Sequence, residues 1–139
     1  MTLGNGSNDV LELLARSFVS SSDEVIFSQF AFAVYALLIQ AIGAIPVISP
    51  ARDYGHDLDA MKRLITNKTK LIFIANPNNP TGTALAPEKI KAFMESIPSK
   101  VIVVLDEAYT EYTTQTVNTI DWLDTYPNLV ITRTFSKAY

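Results

Sequence analysis

The chain has no cysteine and only one histidine among its 139 residues. Without a thiol it can form neither a disulfide framework nor a thiolate metal site, and His56 alone cannot supply a histidine cluster, so no metal is expected. An excess of positive charge is also missing. Eleven lysines and arginines stand against 14 aspartates and glutamates, for a formal net charge of −3. The cations are scattered, whereas a surface that neutralises nucleic-acid phosphates gathers them into a stripe. No apolar run reaches the ~18 residues that suggest a membrane span. Met1 is followed by Thr2-Leu3-Gly4-Asn5-Gly6, which has neither the charged start nor the apolar middle of a secretory signal. The expectation is a cytoplasmic protein with no nucleic-acid or membrane partner. What the chain does have is apolar content, 48% of its residues, at a length that suits one compact soluble domain.

That content falls into short runs separated by stretches of helical period. Glu24 to Ser28, Ile45 to Ile48, Lys70 to Ala75, Val101 to Leu105 and Leu129 to Arg133 read as strands. They are rich in Val, Ile and Leu with little alternation, the pattern of strands covered on both faces. Between them, Leu58, Met61 and Ile65 share one helical face, as do Ile90, Phe93, Met94 and Ile97. The alternation predicts an α/β fold, a doubly wound, mostly parallel sheet with helices on both faces. Phe32 to Ile42 is apolar nearly all round and is expected to be a helix buried on several sides. Thr110 to Thr119 reads as a surface loop leading to a short helix near Ile120 to Leu123. Tyr35, Trp122, Phe18 and Phe93 are assigned to the core or an interface, and His56 to a loop.

In an open α/β sheet, ligands bind beyond the carboxyl ends of the strands, and polar groups collect at three such ends. Asn79 follows the Lys70 strand in a proline-rich turn, Asp106 follows the Val101 strand, and Lys137 sits just past the Leu129 strand. Taken singly, an aspartate there is a turn or capping residue and a lysine is a solvated surface group. Taken together, Asn-Pro-Thr-Gly, Asp-Glu-Ala-Tyr and Ser-Lys, each directly after a strand, are hard to produce as ordinary turn chemistry. Glu107 and Arg133 are placed where they could pair near these ends; the sequence alone does not decide it.

The segments GNGSND (4–9), FAFAVY (30–35), NPNNPTG (76–82), DEAYTEY (106–112) and RTFSKAY (133–139) resemble, in order and spacing, the fold-type I enzymes that use pyridoxal 5′-phosphate. Within these they resemble the aspartate aminotransferase superfamily, and most of all the histidinol-phosphate aminotransferases. The resemblance implies that the chain is an internal piece of the large cofactor-binding domain, residues 1–139, without the small C-terminal domain. It implies amino transfer between histidinol phosphate, or a related amino compound, and 2-oxoglutarate or glutamate, by a homodimer with active sites at the subunit interface.

Carried over residue by residue, the resemblance makes Lys137 the lysine that holds the cofactor aldehyde covalently and moves the proton at the substrate carbon. That role needs an amine that can be neutral, which other cations and little water favour. Asp106 matches the partner of the pyridine nitrogen, Asn79 and Tyr109 the pair that bonds the ring oxygen, and Phe32 an aromatic that stacks on the ring. Gly6-Ser7-Asn8 precedes a helix expected over Asp9 to Phe18. A helix start binds anions, so Ser7 and Asn8, joined by Ser136, become the phosphate ligands; as residue types they suit an N-cap equally well. Two alternatives stay open: a threonine-phosphate decarboxylase-like enzyme sharing these motifs, and a non-catalytic fragment that self-associates through uncovered apolar faces.

Overall fold

A computed structural model describes residues 1–114 and 117–138. Five parallel strands form the sheet: β1 (Glu24–Ser28), β2 (Ile45–Ser49), β5 (Thr69–Ala75), β6 (Ile102–Asp106) and β7 (Leu129–Thr132), in the order β2-β1-β5-β6-β7. A two-stranded antiparallel hairpin, β3 (Ala51–Arg52) and β4 (Gly55–His56), stands apart from it. From β1 the chain steps outward to β2, then returns past β1 to β5. The switch point therefore lies between β1 and β5, and the crevice that such a reversal opens is at the carboxyl ends of the strands. The doubly wound expectation holds.

Strand alternation sorts the core into two layers. Val25 and Phe27 of β1, Leu71 and Phe73 of β5 and Val104 of β6 face α1 (Ser7–Phe18) and α2 (Ala33–Ile42), meeting Leu11, Tyr35 and Ile39. Ile26, Ile72, Ile74, Val103 and Leu105 face the other way, onto Met61 of α3 (Leu58–Arg63), Ile90, Phe93 and Met94 of α4 (Pro87–Ser96), and Trp122. Asp106 continues the 102, 104 series, so its carboxylate belongs to the α1/α2 face. Asp57 caps α3 by accepting from the Ala60 N–H at 2.9 Å, and Pro87 opens α4 where no amide donor is needed.

Several expectations are corrected. Residues 33–42 form a helix with one buried stripe, Tyr35 and Ile39, and Leu37 is 61% exposed; uniform apolarity did not mean cover on several sides. Strand β2 is an edge strand, with Ile45, Pro46 and Ile48 exposed, so it is not covered on both faces. Its Ile45 N–H donates inward, to the Asp23 carbonyl at 2.9 Å. His56 is not a loop residue. It pairs with Ala51 in the hairpin, is 7% exposed, and its Nε2 donates to the Ala75 carbonyl at 2.8 Å. Burial holds the ring below the ordinary histidine range, partly offset by that bond. Phe18, expected in the core or at an interface, is half exposed and lies outside both layers, which excludes the core alone. The predicted loop over Thr110 to Thr119 contains a 3₁₀ turn at Thr110–Tyr112; Gln115 and Thr116 lie outside the described residues, as does Tyr139 of the last motif. A second 3₁₀ helix, Thr119–Asp124, stands where the short helix was expected. Among the described residues, no helix is long and apolar enough to cross a membrane.

Candidate active site

Asp106 is the last residue of β6, paired in register with Ala75 of β5 and Thr132 of β7. It is 5% exposed, and a carboxylate so far from water needs donors. Tyr35 Oη donates to Oδ2 at 2.7 Å, while Thr132 Oγ1 and the Ala108 N–H donate to Oδ1 at 3.1 and 3.3 Å. Burial pushes the carboxyl above its usual range; the bonds from Tyr35, Thr132 and Ala108 and the charge of Lys137 pull it back. With a single donor on Oδ2, one acceptor position of that oxygen is left for a further donor.

The loop after β5 spends two of its three asparagines on its own shape. Asn76 Oδ1 accepts from the Leu85 N–H at 2.8 Å, and Asn78 Nδ2 donates to the Phe30 carbonyl and to Thr81 Oγ1 at 2.7 and 2.8 Å. Gly82 closes the turn at φ 70°, donating to the Asn78 carbonyl at 2.8 Å. Asn79 is left to face the crevice, where its Nδ2 lies 3.4 Å from Tyr109 Oη.

Gly6 caps α1 with φ 83° and ψ 173°, a backbone reserved for glycine. No side chain caps this helix start, so its first amides point outward with the positive end of the helix dipole. Ser7 is the first helical residue; neither it nor Asn8 is the cap, which corrects the N-cap alternative and extends the helix expected from Asp9. At the opposite wall, Thr134 Oγ1 accepts from the Ser136 N–H at 3.2 Å, turning the chain after β7. Lys137, five residues beyond the strand, lies with Nζ 5.5 Å from the centre of the Tyr109 ring, and its carbonyl accepts from Tyr112 Oη at 3.3 Å.

These elements enclose a cavity of about 280 Å³, and Ser7, Asn8, Phe32, Asn79, Asp106, Tyr109, Ser136 and Lys137 all line it. An amine, a buried carboxylate and an uncapped helix start thus meet at one opening. Lys137 is exposed and is the one cation lining the cavity among the described residues.

The aminotransferase class I and II family matches the chain over residues 1–139. The chain belongs to that family. Along its whole length it is 64% identical, over 141 aligned residues, to histidinol-phosphate aminotransferase 1 of Idiomarina loihiensis, and 57% identical to histidinol-phosphate aminotransferase 2 of Hydrogenovibrio crunogenus. It spans 38% of the length of each of these curated relatives. Among solved structures it resembles histidinol-phosphate aminotransferase from Sinorhizobium meliloti in complex with pyridoxal-5′-phosphate. The TM-score is 0.91 at 30% identity, over 98% of this chain and 38% of that one.

Sequence reasoning passed over one buried side chain that stands behind the cavity wall, against Asp106. Tyr35 is expected in the core or at an interface, and it does stack on Phe73 at 4.5 Å and meet Phe32 edge-on at 5.9 Å. Its hydroxyl, however, is the shortest bond to Asp106. The available signal was a phenol one helical turn after Phe32 in an apolar helix: a buried hydroxyl needs a partner, and a strand-end carboxylate was the nearest candidate by face.

Proposed function

We propose that the chain is part of an aminotransferase that uses pyridoxal 5′-phosphate to move an amino group between histidinol phosphate, or a related amino compound, and 2-oxoglutarate or glutamate, in histidine biosynthesis. The observation that carries the reading is the meeting of Lys137, Asp106 and the α1 start at one cavity; the relatives' names extend it to the substrate. The residues fit the cofactor. The open position on Asp106 Oδ2 suits a protonated ring nitrogen, the Phe32 ring borders the cavity, and the uncapped helix start suits a phosphate dianion.

When bound, the cofactor supplies an electron-accepting ring for the electron pair left at the substrate carbon. Asp106, ionised through the bonds of Tyr35 and Thr132, holds a proton at the ring nitrogen. Asn79 and Tyr109 donate to the ring oxygen. Ser7, Asn8, Ser136 and the first turn of α1 bind the phosphate and fix the ring's orientation. Lys137 Nζ takes the proton from the substrate carbon and returns one; a positioned base of this kind is worth roughly 10²–10⁴-fold in rate. The working unit is a homodimer in the cytoplasm; the homodimer is what the resemblance implies, and the exposed Phe135 and Leu3 beside the cavity mouth suit a subunit contact.

The test is amino exchange by the intact protein. Histidinol phosphate and 2-oxoglutarate should yield glutamate, and Lys137→Ala should abolish it. Carbon dioxide released from threonine phosphate without any amino transfer would overturn the assignment in favour of a decarboxylase.

A further inference from the structure

Asp106 and Glu107 are consecutive carboxylates with opposite surroundings. Asp106 faces the cavity, while Glu107 turns to the other side of the sheet, beside Pro87, Ile90 and Trp122. It is 3% exposed and does not line the cavity, so it cannot touch anything bound there. Its charge is nevertheless fully engaged. Oε1 accepts from Thr119 Oγ1 at 2.5 Å and Oε2 from Arg133 Nε at 2.8 Å, with Arg133 Nη2 also 3.4 Å from Thr119 Oγ1. A buried carboxylate paired with a partly exposed arginine adds little stability over apolar packing; what it can add is a single geometry.

The geometry here bears on one piece of chain. Arg133 is the first residue after β7, and Lys137 follows four residues later. The Glu107 N–H donates to the Thr132 carbonyl at 2.8 Å, tying the same two strand ends through the backbone. Farther along, the bond from Tyr112 Oη to the Lys137 carbonyl is a second tie between the segments after β6 and β7.

We propose that Glu107 is a positioning residue for Lys137: acting through Arg133 from the face of the sheet opposite the cavity, it fixes the 133–137 turn so that the lysine amine is presented over Tyr109. The inference rests on the reading of Lys137 as the residue that takes the cofactor aldehyde. In that reaction the neutral amine adds to the aldehyde carbon and water leaves; borohydride then delivers hydride to the carbon–nitrogen double bond, leaving a stable secondary amine.

The test measures that attachment in the intact protein at limiting pyridoxal phosphate. Borohydride quenching at timed intervals and peptide mass spectrometry give the rate at Lys137, while circular dichroism follows the fold. Glu107→Gln and Arg133→Gln should each slow attachment roughly tenfold, the share of one charge-assisted hydrogen bond. The double variant should be no slower than the slower single variant, because both changes remove one linkage. Arg133→Lys keeps the charge on a side chain that is 40% exposed, so it folds even where Glu107→Gln does not, and an intermediate loss is expected. An attachment rate equal to the parent's in any folded single variant, or losses that multiply in the double, would overturn the inference and leave Glu107 as a staple of the 3₁₀ helix. Label on Lys62 or Lys100 in the parent protein would instead overturn the assignment of Lys137, and this inference with it.

Discussion

Replacing Tyr35 by phenylalanine removes one hydroxyl and leaves the ring stacked on Phe73, so the change isolates the 2.7 Å bond to Asp106. Two protonation states of Asp106 give two magnitudes. Ionised, it loses a charge-assisted bond, worth about 1.5–3 kcal/mol; protonated, it loses a neutral one, worth about 0.5–1.5 kcal/mol. Asp106 also lines the cavity, where water can replace the lost donor, so the lower ends apply and the two states differ by about 1 kcal/mol. Tyr35 itself titrates well above the ordinary tyrosine range, through burial and then the Asp106 charge, and remains a donor throughout. The sign follows from Asp106. Its folded-state pKa lies above the unfolded 3.8, so the folded protein binds the proton more tightly, and stability falls as pH rises from the unfolded value through the folded one. Losing the Tyr35 bond raises the folded pKa further and widens that window. Urea unfolding of parent and Tyr35→Phe at about pH 4 and about pH 7 should therefore show the larger loss near neutrality. Equal losses at the two pH values, or a loss confined to the acid side, would refute the argument that this hydroxyl stabilises the charged form.

His56 works in the opposite direction: its folded-state pKa lies below 6.5, so stability is fully present above that value and declines as pH falls through it, since the unfolded chain then binds the extra proton. His56→Gln should flatten this decline in melting temperature measured across pH, and an unchanged slope would show that the ring does not stay neutral in the fold. Gly6→Ala meets no atom within 4 Å of the new Cβ, so its effect is backbone strain alone, about 1–3 kcal/mol at such angles. Reshaping the α1 start should weaken pyridoxal phosphate binding more than pyridoxal binding in an equilibrium titration; equal weakening would remove the phosphate from that site.

The five strands of the main sheet are legible to within one residue because β-structure in such a sheet leaves continuous Val/Ile/Leu runs, whereas the two-residue strands of the β3–β4 hairpin leave no such run and are missed. Even so, the end of β6 was set one residue early, since Asp106 reads as a loop residue until register with Thr132 is seen. Burial was harder to read. A segment such as 33–42 has the composition of a core helix whether or not anything covers its outer face, and composition cannot report the missing neighbour. The eight candidate site residues reach one cavity because each ends or follows a strand or opens a helix, a relation that chain order preserves. Tyr35 and the Glu107–Arg133 pair could not be decided in the same way. Their partners lie 71 and 26 residues away, and only the three-dimensional faces bring them together.

The inward bond of Ile45 in β2 has a consequence for how the sheet can grow. In a parallel ladder, alternate residues direct both backbone groups to the same neighbour, so the next position, Pro46, is turned away from β1, and proline has no N–H to offer there. A strand approaching that flank meets the Ile48 amide as the one outward donor of β2. Lengthening by hydrogen bonding, whether by more of the same chain or by another molecule, thus has a direction built into it: the β2 flank is a poor template, and the flank beyond β7 is the one that can be read.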